Sequence, residues 1–141
     1  MASSSSATPT AGVAGVDQAA AKGFDDAAAY DLHRPSYPPR AVDALLAHLG
    51  VAGAGAHRVV DLAAGTGKFT ELLAARRREG EGDGEGEGLE VVAVEPVAKM
   101  RRELEAKRLA GVTARDGLAT RMGGVEDGWA DAVVAAQSFH W

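Results

Sequence analysis

The sequence contains no cysteine, few aromatic side chains and no long apolar run. With no cysteine among its 141 residues, the chain has no disulfide framework, no thiolate nucleophile and no thiolate metal site. The four histidines, His33, His48, His57 and His140, are scattered without the spacing of metal ligands. No stretch reaches the roughly 20 apolar residues of a transmembrane helix. We therefore expect a cytoplasmic protein with no metal and no membrane partner.

Basic residues are in the minority. The chain has 15 Lys and Arg against 20 Asp and Glu, for a formal net charge of -5 and a pI of about 5.3. Nucleic-acid binding depends on clustered Lys and Arg that face phosphates. The basic triplet at 76–78 stands where a helix is expected to end, and there it would complement the helix dipole. These features predict that nucleic acid is not a partner.

Two segments lack the periodicity of a folded core. Residues 1–22 are rich in Ser and Ala, have no Arg and are predicted to be a disordered tail rather than a targeting signal. Residues 79–88 alternate glycine with acids and are predicted to form a flexible surface loop. A single domain is therefore expected over residues 23–141, with this loop inside it.

The domain is organised around the stretch VVDLAAGTGKFT, Val59 to Thr70. Its β-branched start is typical of a strand buried on both faces, and this strand contains the acid Asp61. The small residues that follow, through Gly65 and Gly67, permit a sharp turn and close approach of a ligand to the backbone. A helical pattern begins next, so the loop ends at a helix N-terminus that favours a carboxylate or phosphate. The stretch predicts a site for a charged, nucleoside-like small molecule.

Two familiar glycine loops match this stretch poorly. A phosphate-binding P-loop requires a glycine where Leu62 stands and a Ser or Thr where Phe69 follows Lys68. A dinucleotide loop requires a third glycine three residues after Gly67, where the chain has Thr70. The P-loop fails twice, and the dinucleotide signal is weak.

Further strands and helices alternate along the chain. A helix over 40–49 is predicted to present Val42, Leu45, Leu46 and Leu49 on one apolar face, with Gly50 as its cap. Apolar runs predict a second strand from Leu89 to Val94, a weak third strand from Val112 to Arg115 and a fourth from Asp131 to Ala136. The segment RMGGVEDGWAD is interpreted as a polar connector. This alternation predicts an α/β doubly wound parallel sheet, with ligand bound at the carboxyl ends of its strands.

Acids follow the second and third strands. Glu95 lies at the tip of the second strand, where its two oxygens could accept hydrogen bonds from the vicinal hydroxyls of a ribose. Pro96 suits the first turn of the next helix, whose buried face would include Met100. Asp116 and Gly117 follow the third strand. An Asp-Gly pair at this place is as typical of a simple turn as of a ligand-binding position.

Four ordered matches, covering Phe24 to Trp141, resemble the type 11 group of class I S-adenosylmethionine-dependent methyltransferases. The first motif of that class is similar to Asp61, Ala63, Gly65 and Gly67, with Ala63 in place of a glycine. If its backbone required a positive φ, Ala63 would cost about 1 kcal/mol relative to glycine. The lead-in RP-x-YP and the ending QSFHW also resemble this group.

The resemblance implies a Rossmann-like fold and S-adenosyl-L-methionine as the cofactor. It places Glu95 on the ribose, Asp116 on the adenine amino group and Tyr30 with Arg34 over the amino-acid end. The residues implied to bind the cofactor are Tyr30, Arg34, Asp61, Ala63, Gly65, Gly67, Glu95, Pro96, Met100, Asp116, Gly117 and Gln137. His140 is the candidate base.

The expected function is methyl transfer to a small-molecule acceptor, which the sequence does not name. A nicotinamide-dependent oxidoreductase on the same sheet is the alternative. The methyltransferase fold has seven strands and four are found here, so a chain truncated after the fourth strand, binding cofactor without turnover, is also expected. The fourth strand would then present an apolar open edge that favours association. The oligomeric state is left open.

Overall fold

A computed structural model describes residues 32–33, 36–53, 55–77 and 88–138 of the chain. Tyr30, Arg34 and His140 lie outside these ranges. The predicted disordered tail also lies outside them, as does the predicted glycine and acid loop apart from Gly88.

Helices and strands alternate as the sequence predicts. In chain order the elements are α1 (Pro39–His48), β1 (Ala56–Leu62), α2 (Lys68–Arg76), β2 (Gly88–Val94), α3 (Ala98–Ala106), β3 (Val112–Arg115), β4 (Gly117–Leu118), β5 (Arg121–Met122) and β6 (Ala132–Val134). β3, β2, β1 and β6 form a parallel sheet in that order. β4 and β5 form a separate antiparallel hairpin. The predicted α/β parallel sheet is confirmed.

Successive residues of a strand point to opposite faces of the sheet, so each face has its own set of packed side chains. Val59 belongs to the core cluster that contains α1 and α2 residues, whereas Val60 belongs to the cluster on the other face. α3 packs beside α2, where Lys107 Nζ lies 3.4 Å from a carboxylate oxygen of Glu71. Near-continuous apolar strands are what a doubly covered parallel sheet requires.

The segment interpreted as a polar connector covers the second face of the sheet, so that interpretation was wrong. Its apolar side chains pack against Val60, Val92 and Val94; they are Met122, Val125, Trp129 and Ala130. They follow neither helical nor strand periodicity, because the hairpin and the turns after it set their direction. No periodic pattern in the sequence therefore marks them as buried.

The predicted apolar face of α1 is narrower in the structure. Val42 and Leu46 are buried, but Leu45 and Leu49 are 37% and 36% exposed. Both exposed leucines line an open groove between α1 and the end of β6, so no described element covers them.

The end of α1 follows the predicted glycine cap. Gly50 has a φ of 73°, and its N–H donates to Ala47 O at 3.1 Å. The N–H of Val51 donates to Leu46 O at 3.0 Å, which completes a Schellman motif. Val51 is itself buried beside Leu46 in the core.

Pro96 precedes α3 instead of lying in its first turn, so that prediction was wrong by about two residues. The helix begins at Ala98, with Val97 as an extended N-cap residue. The N–H of Val97 donates to Glu95 Oε1 at 2.8 Å. This hydrogen bond holds the chain in a turn at the strand tip, so the helix begins only after Val97.

Candidate functional site

The register of the sheet brings the sequence-predicted acids to one edge. Leu62 pairs with Val94, and Val94 pairs with Arg115. The residues that come next, Ala63, Glu95 and Asp116, therefore follow neighbouring strand ends. Ligands of open parallel sheets bind at such an edge.

The glycine loop has three left-handed residues at alternate positions. The φ angles are 55° at Ala63, 60° at Gly65 and 87° at Gly67. A Cβ on Gly67 would lie 2.7 Å from Leu104 Cδ1, so close packing on α3 also requires glycine there. A Cβ on Gly65 would meet nothing nearer than Met100 Sδ at 3.9 Å, which leaves space along this part of the loop.

Replacing Ala63 with glycine should stabilise the fold by about 0.5 to 1 kcal/mol. An L-residue in the left-handed region costs about 1 to 2 kcal/mol, and glycine removes this cost. The greater freedom of glycine in the unfolded chain offsets part of the stabilisation. Ala64→Gly is the matched control, because the φ of Ala64 is not left-handed. Urea unfolding should show opposite signs for the two variants. A destabilised Ala63→Gly would mean that the methyl group contributes packing that outweighs the strain.

Asp61 is a buried acid with one oxygen lacking a partner. Its side chain is 1% exposed, and its Oδ2 accepts from Thr70 Oγ1 at 2.6 Å. Its Oδ1 is buried and has no hydrogen-bond partner among the residues that the structure describes. Burial raises the pKa of Asp61 to about 7, opposed by the Thr70 hydrogen bond and reinforced by the charge of Glu95.

A small cavity and a larger groove adjoin the loop. The cavity, of about 20 Å³, is lined by Tyr37, Asp61, Ala63, Ala64, Gly65, Thr66, Lys68, Phe69 and Ala136. It has room for about one water molecule. The groove, of about 530 Å³, shares Tyr37, Phe69 and Ala136 with it and is lined by apolar side chains of α1 and β6. A polar cavity therefore opens next to an apolar surface.

Glu95 connects the glycine loop to the start of α3. Its side chain is 4% exposed, and its Oε2 accepts from the Gly65 N–H at 2.8 Å. Its Oε1 accepts from the Val97 N–H. Burial raises the pKa of Glu95, while these two hydrogen bonds and the nearby Arg101 oppose the rise. A carboxylate oxygen has two lone pairs, so each can accept a further hydrogen bond from a ligand hydroxyl.

The other predicted site residues occupy distinct positions around this edge. Asp116 is largely exposed, with its Oδ1 3.2 Å from Arg101 Nη1, and Met100 is buried near Gly65. Gly117 packs within its own hairpin, where a Cβ would lie 2.7 Å from Gly123 N. Gln137 has a φ of 55° and lines the apolar groove rather than the small cavity.

Sequence reasoning missed two residues that contact the acids. Thr70 was noted only as the residue in place of a third glycine, yet its hydroxyl donates to Asp61. Its position between Phe69 and Leu73 on the buried face of α2 was the available signal. Arg101 carried no signal beyond its place beside the buried Met100.

Among residues 32–33, 36–53, 55–77 and 88–138, no helix is long and apolar enough to cross a membrane. Within the same ranges, no group of three or more His, Asp or Glu side chains is placed to hold a metal ion.

The fold is a Rossmann-like α/β fold. It is similar to the structure of a protein from Methanococcus maripaludis, proposed to be an S-adenosyl-L-methionine-dependent methyltransferase. The TM-score is 0.57 at 18% identity, over 89% of this chain and 52% of that one.

The sequence is similar to uncharacterised methyltransferases of Mycobacterium bovis and Mycobacterium tuberculosis. Each is 42% identical over 113 residues, which are 80% of this chain and 39% of the relative. The chain thus spans about two fifths of the length of the curated relatives it matches. No protein-family profile matches the chain.

Proposed function

We propose that this chain binds S-adenosyl-L-methionine and contains the cofactor site of a small-molecule methyltransferase of the type 11 group. The observation that carries the proposal is the Glu95 carboxylate, fixed at the tip of β2 by the N–H groups of Gly65 and Val97. It is an oriented hydroxyl acceptor directly beside a left-handed glycine loop. The relatives and the structural neighbour support this proposal through their names and fold.

Three parts of the cofactor have a matching group along this edge. Glu95 is suited to the ribose hydroxyls, and Asp116 to the adenine amino group. The unpartnered Oδ1 of Asp61 is suited to the ammonium of the amino-acid end, since a buried carboxylate gains most from an opposite charge. Tyr30 and Arg34, which the resemblance places over that same end, keep this role as part of the proposal.

Bound S-adenosyl-L-methionine supplies a methyl group that its sulfonium already activates. The contribution of the protein is then chiefly to hold donor and acceptor in line and to exclude water. A base is needed only if the acceptor loses a proton. His140 remains the proposed candidate, and its replacement by alanine should lower the rate of methyl transfer only for such acceptors.

A nicotinamide cofactor fits these contacts less well. Thr70 occupies the position of the third dinucleotide glycine and donates to Asp61. Asp61 retains a buried oxygen suited to a cation, and the end of a nicotinamide dinucleotide offers no ammonium group to it. The geometry therefore favours an amino-acid-bearing nucleoside.

Calorimetric titration with S-adenosyl-L-methionine, S-adenosyl-L-homocysteine and NAD⁺ tests the proposal. We expect saturable binding of the first two and none of NAD⁺ at the same concentrations. Methyl transfer to a panel of small carboxylic acids and other metabolites then separates an enzyme from a chain that binds without turnover. Binding of NAD⁺ alone would contradict the proposal and support the oxidoreductase alternative.

A further inference from the structure

Arg101 lies between the two acids that follow β2 and β3. Its Nη1 donates to the main-chain oxygen of Glu95 at 2.6 Å and to Asp116 Oδ1 at 3.2 Å. The side chain of Arg101 is only 20% exposed, whereas that of Asp116 is 74% exposed. One nitrogen therefore links a largely solvated carboxylate to the end of the neighbouring strand.

Without this contact, little would hold Asp116 at the edge of the site. Its side chain is mostly in water, and the charge of nearby Glu95 is of the same sign. Arg101 is anchored in α3, where its own N–H donates to Val97 O at 3.0 Å. The guanidinium, which also donates to Glu95 O, is thus a permanently charged neighbour for an exposed carboxylate.

We propose that Arg101 is a positioning residue that selects adenine by holding the Asp116 carboxylate ready to accept from the exocyclic amino group. The inference rests on the proposed function, in which Asp116 contacts the adenine. Arg101 occupies Oδ1 of Asp116 and leaves Oδ2 for the ligand. Adenine recognition then depends on the pair rather than on Asp116 alone.

Selectivity between two nucleosides tests this role better than affinity alone. The probes are S-adenosyl-L-homocysteine and S-inosyl-L-homocysteine, in which a carbonyl oxygen replaces the adenine amino group. Arg101→Gln should lower the affinity for the adenosyl ligand by about fivefold, as expected for a partly exposed ion pair. The inosyl ligand should change by less than about twofold, because it offers no amino group to Asp116. The ratio of the two affinities should therefore fall.

Matched variants separate positioning from folding. Arg102→Gln removes an exposed arginine from the same helix and should leave the ratio unchanged. Arg101→Lys keeps the charge and should restore part of the selectivity, and circular dichroism checks that each variant is folded. An equal loss of both ligands in Arg101→Gln, or no loss of either, would overturn the inference while leaving the proposed function standing. If the unmodified chain bound neither ligand, the proposed function itself would fail, and this inference with it.

Discussion

Replacing Glu95 with alanine should weaken the binding of S-adenosyl-L-homocysteine by about 1.5 to 3 kcal/mol, the range for hydrogen bonds to a charged group. The same substitution removes the acceptor of the Gly65 and Val97 N–H groups. Leaving buried donors without a partner costs about 1 to 3 kcal/mol, so the free energy of unfolding should fall as well. Calorimetry and urea unfolding measure the two effects separately.

Glu90→Ala is the matched control for the loss of an acid from β2. Glu90 is exposed, and its ion pair with Arg58 is long, at 3.8 Å, so both quantities should change little. The losses of affinity and stability in Glu95→Gln should lie between those of the control and those of Glu95→Ala. An amide keeps one acceptor but directs a donor at one of the two N–H groups. Unchanged ligand affinity in a folded Glu95→Ala variant would remove Glu95 from the site.

Replacing Asp61 with asparagine should stabilise the protein at high pH and weaken the binding of the cofactor. Burial raises the pKa of Asp61 to about 7, whereas the pKa of an aspartate in the unfolded chain is about 4. Between these values the folded state binds more protons than the unfolded state, so stability falls as the pH rises. Asparagine has no such dependence, and its side-chain oxygen can still accept from Thr70.

The advantage of Asp61→Asn over the unmodified chain should grow by about 3 kcal/mol between pH 5 and pH 8. Urea unfolding at the two pH values measures it. Asp127→Asn, which removes an exposed carboxylate, should show no such change. At pH 8 the Asp61 variant should also bind S-adenosyl-L-methionine more weakly, since the charge proposed to face the ammonium of the cofactor is lost. A stability difference that stayed constant with pH would show that folding does not raise the pKa of Asp61.

Apolar periodicity predicted the order of the strands and helices correctly, although it made the buried face of α1 too wide. The strand at Val59 and the third strand from Val112 to Arg115 lie where their β-branched runs indicate. The cost assigned to Ala63 depended on a positive φ, and the structure has one. Periodicity failed for Trp129 and its neighbours, whose contacts depend on a hairpin with strands of two residues each.

The sequence by itself determined the alternation of strands and helices, the small-residue loop and the placing of an acid after each of two strands. These features are local, because they follow from the period of apolar residues and from the backbone freedom of glycine. Only the tertiary structure decided which groups the acids contact. Asp61 meets Thr70 across the strand and helix, Glu95 meets Gly65 across 30 residues, and Arg101 meets Asp116 across the ends of two strands. Such contacts depend on the sheet register and on which turn of a helix faces it, and no short-range pattern in the sequence records either one.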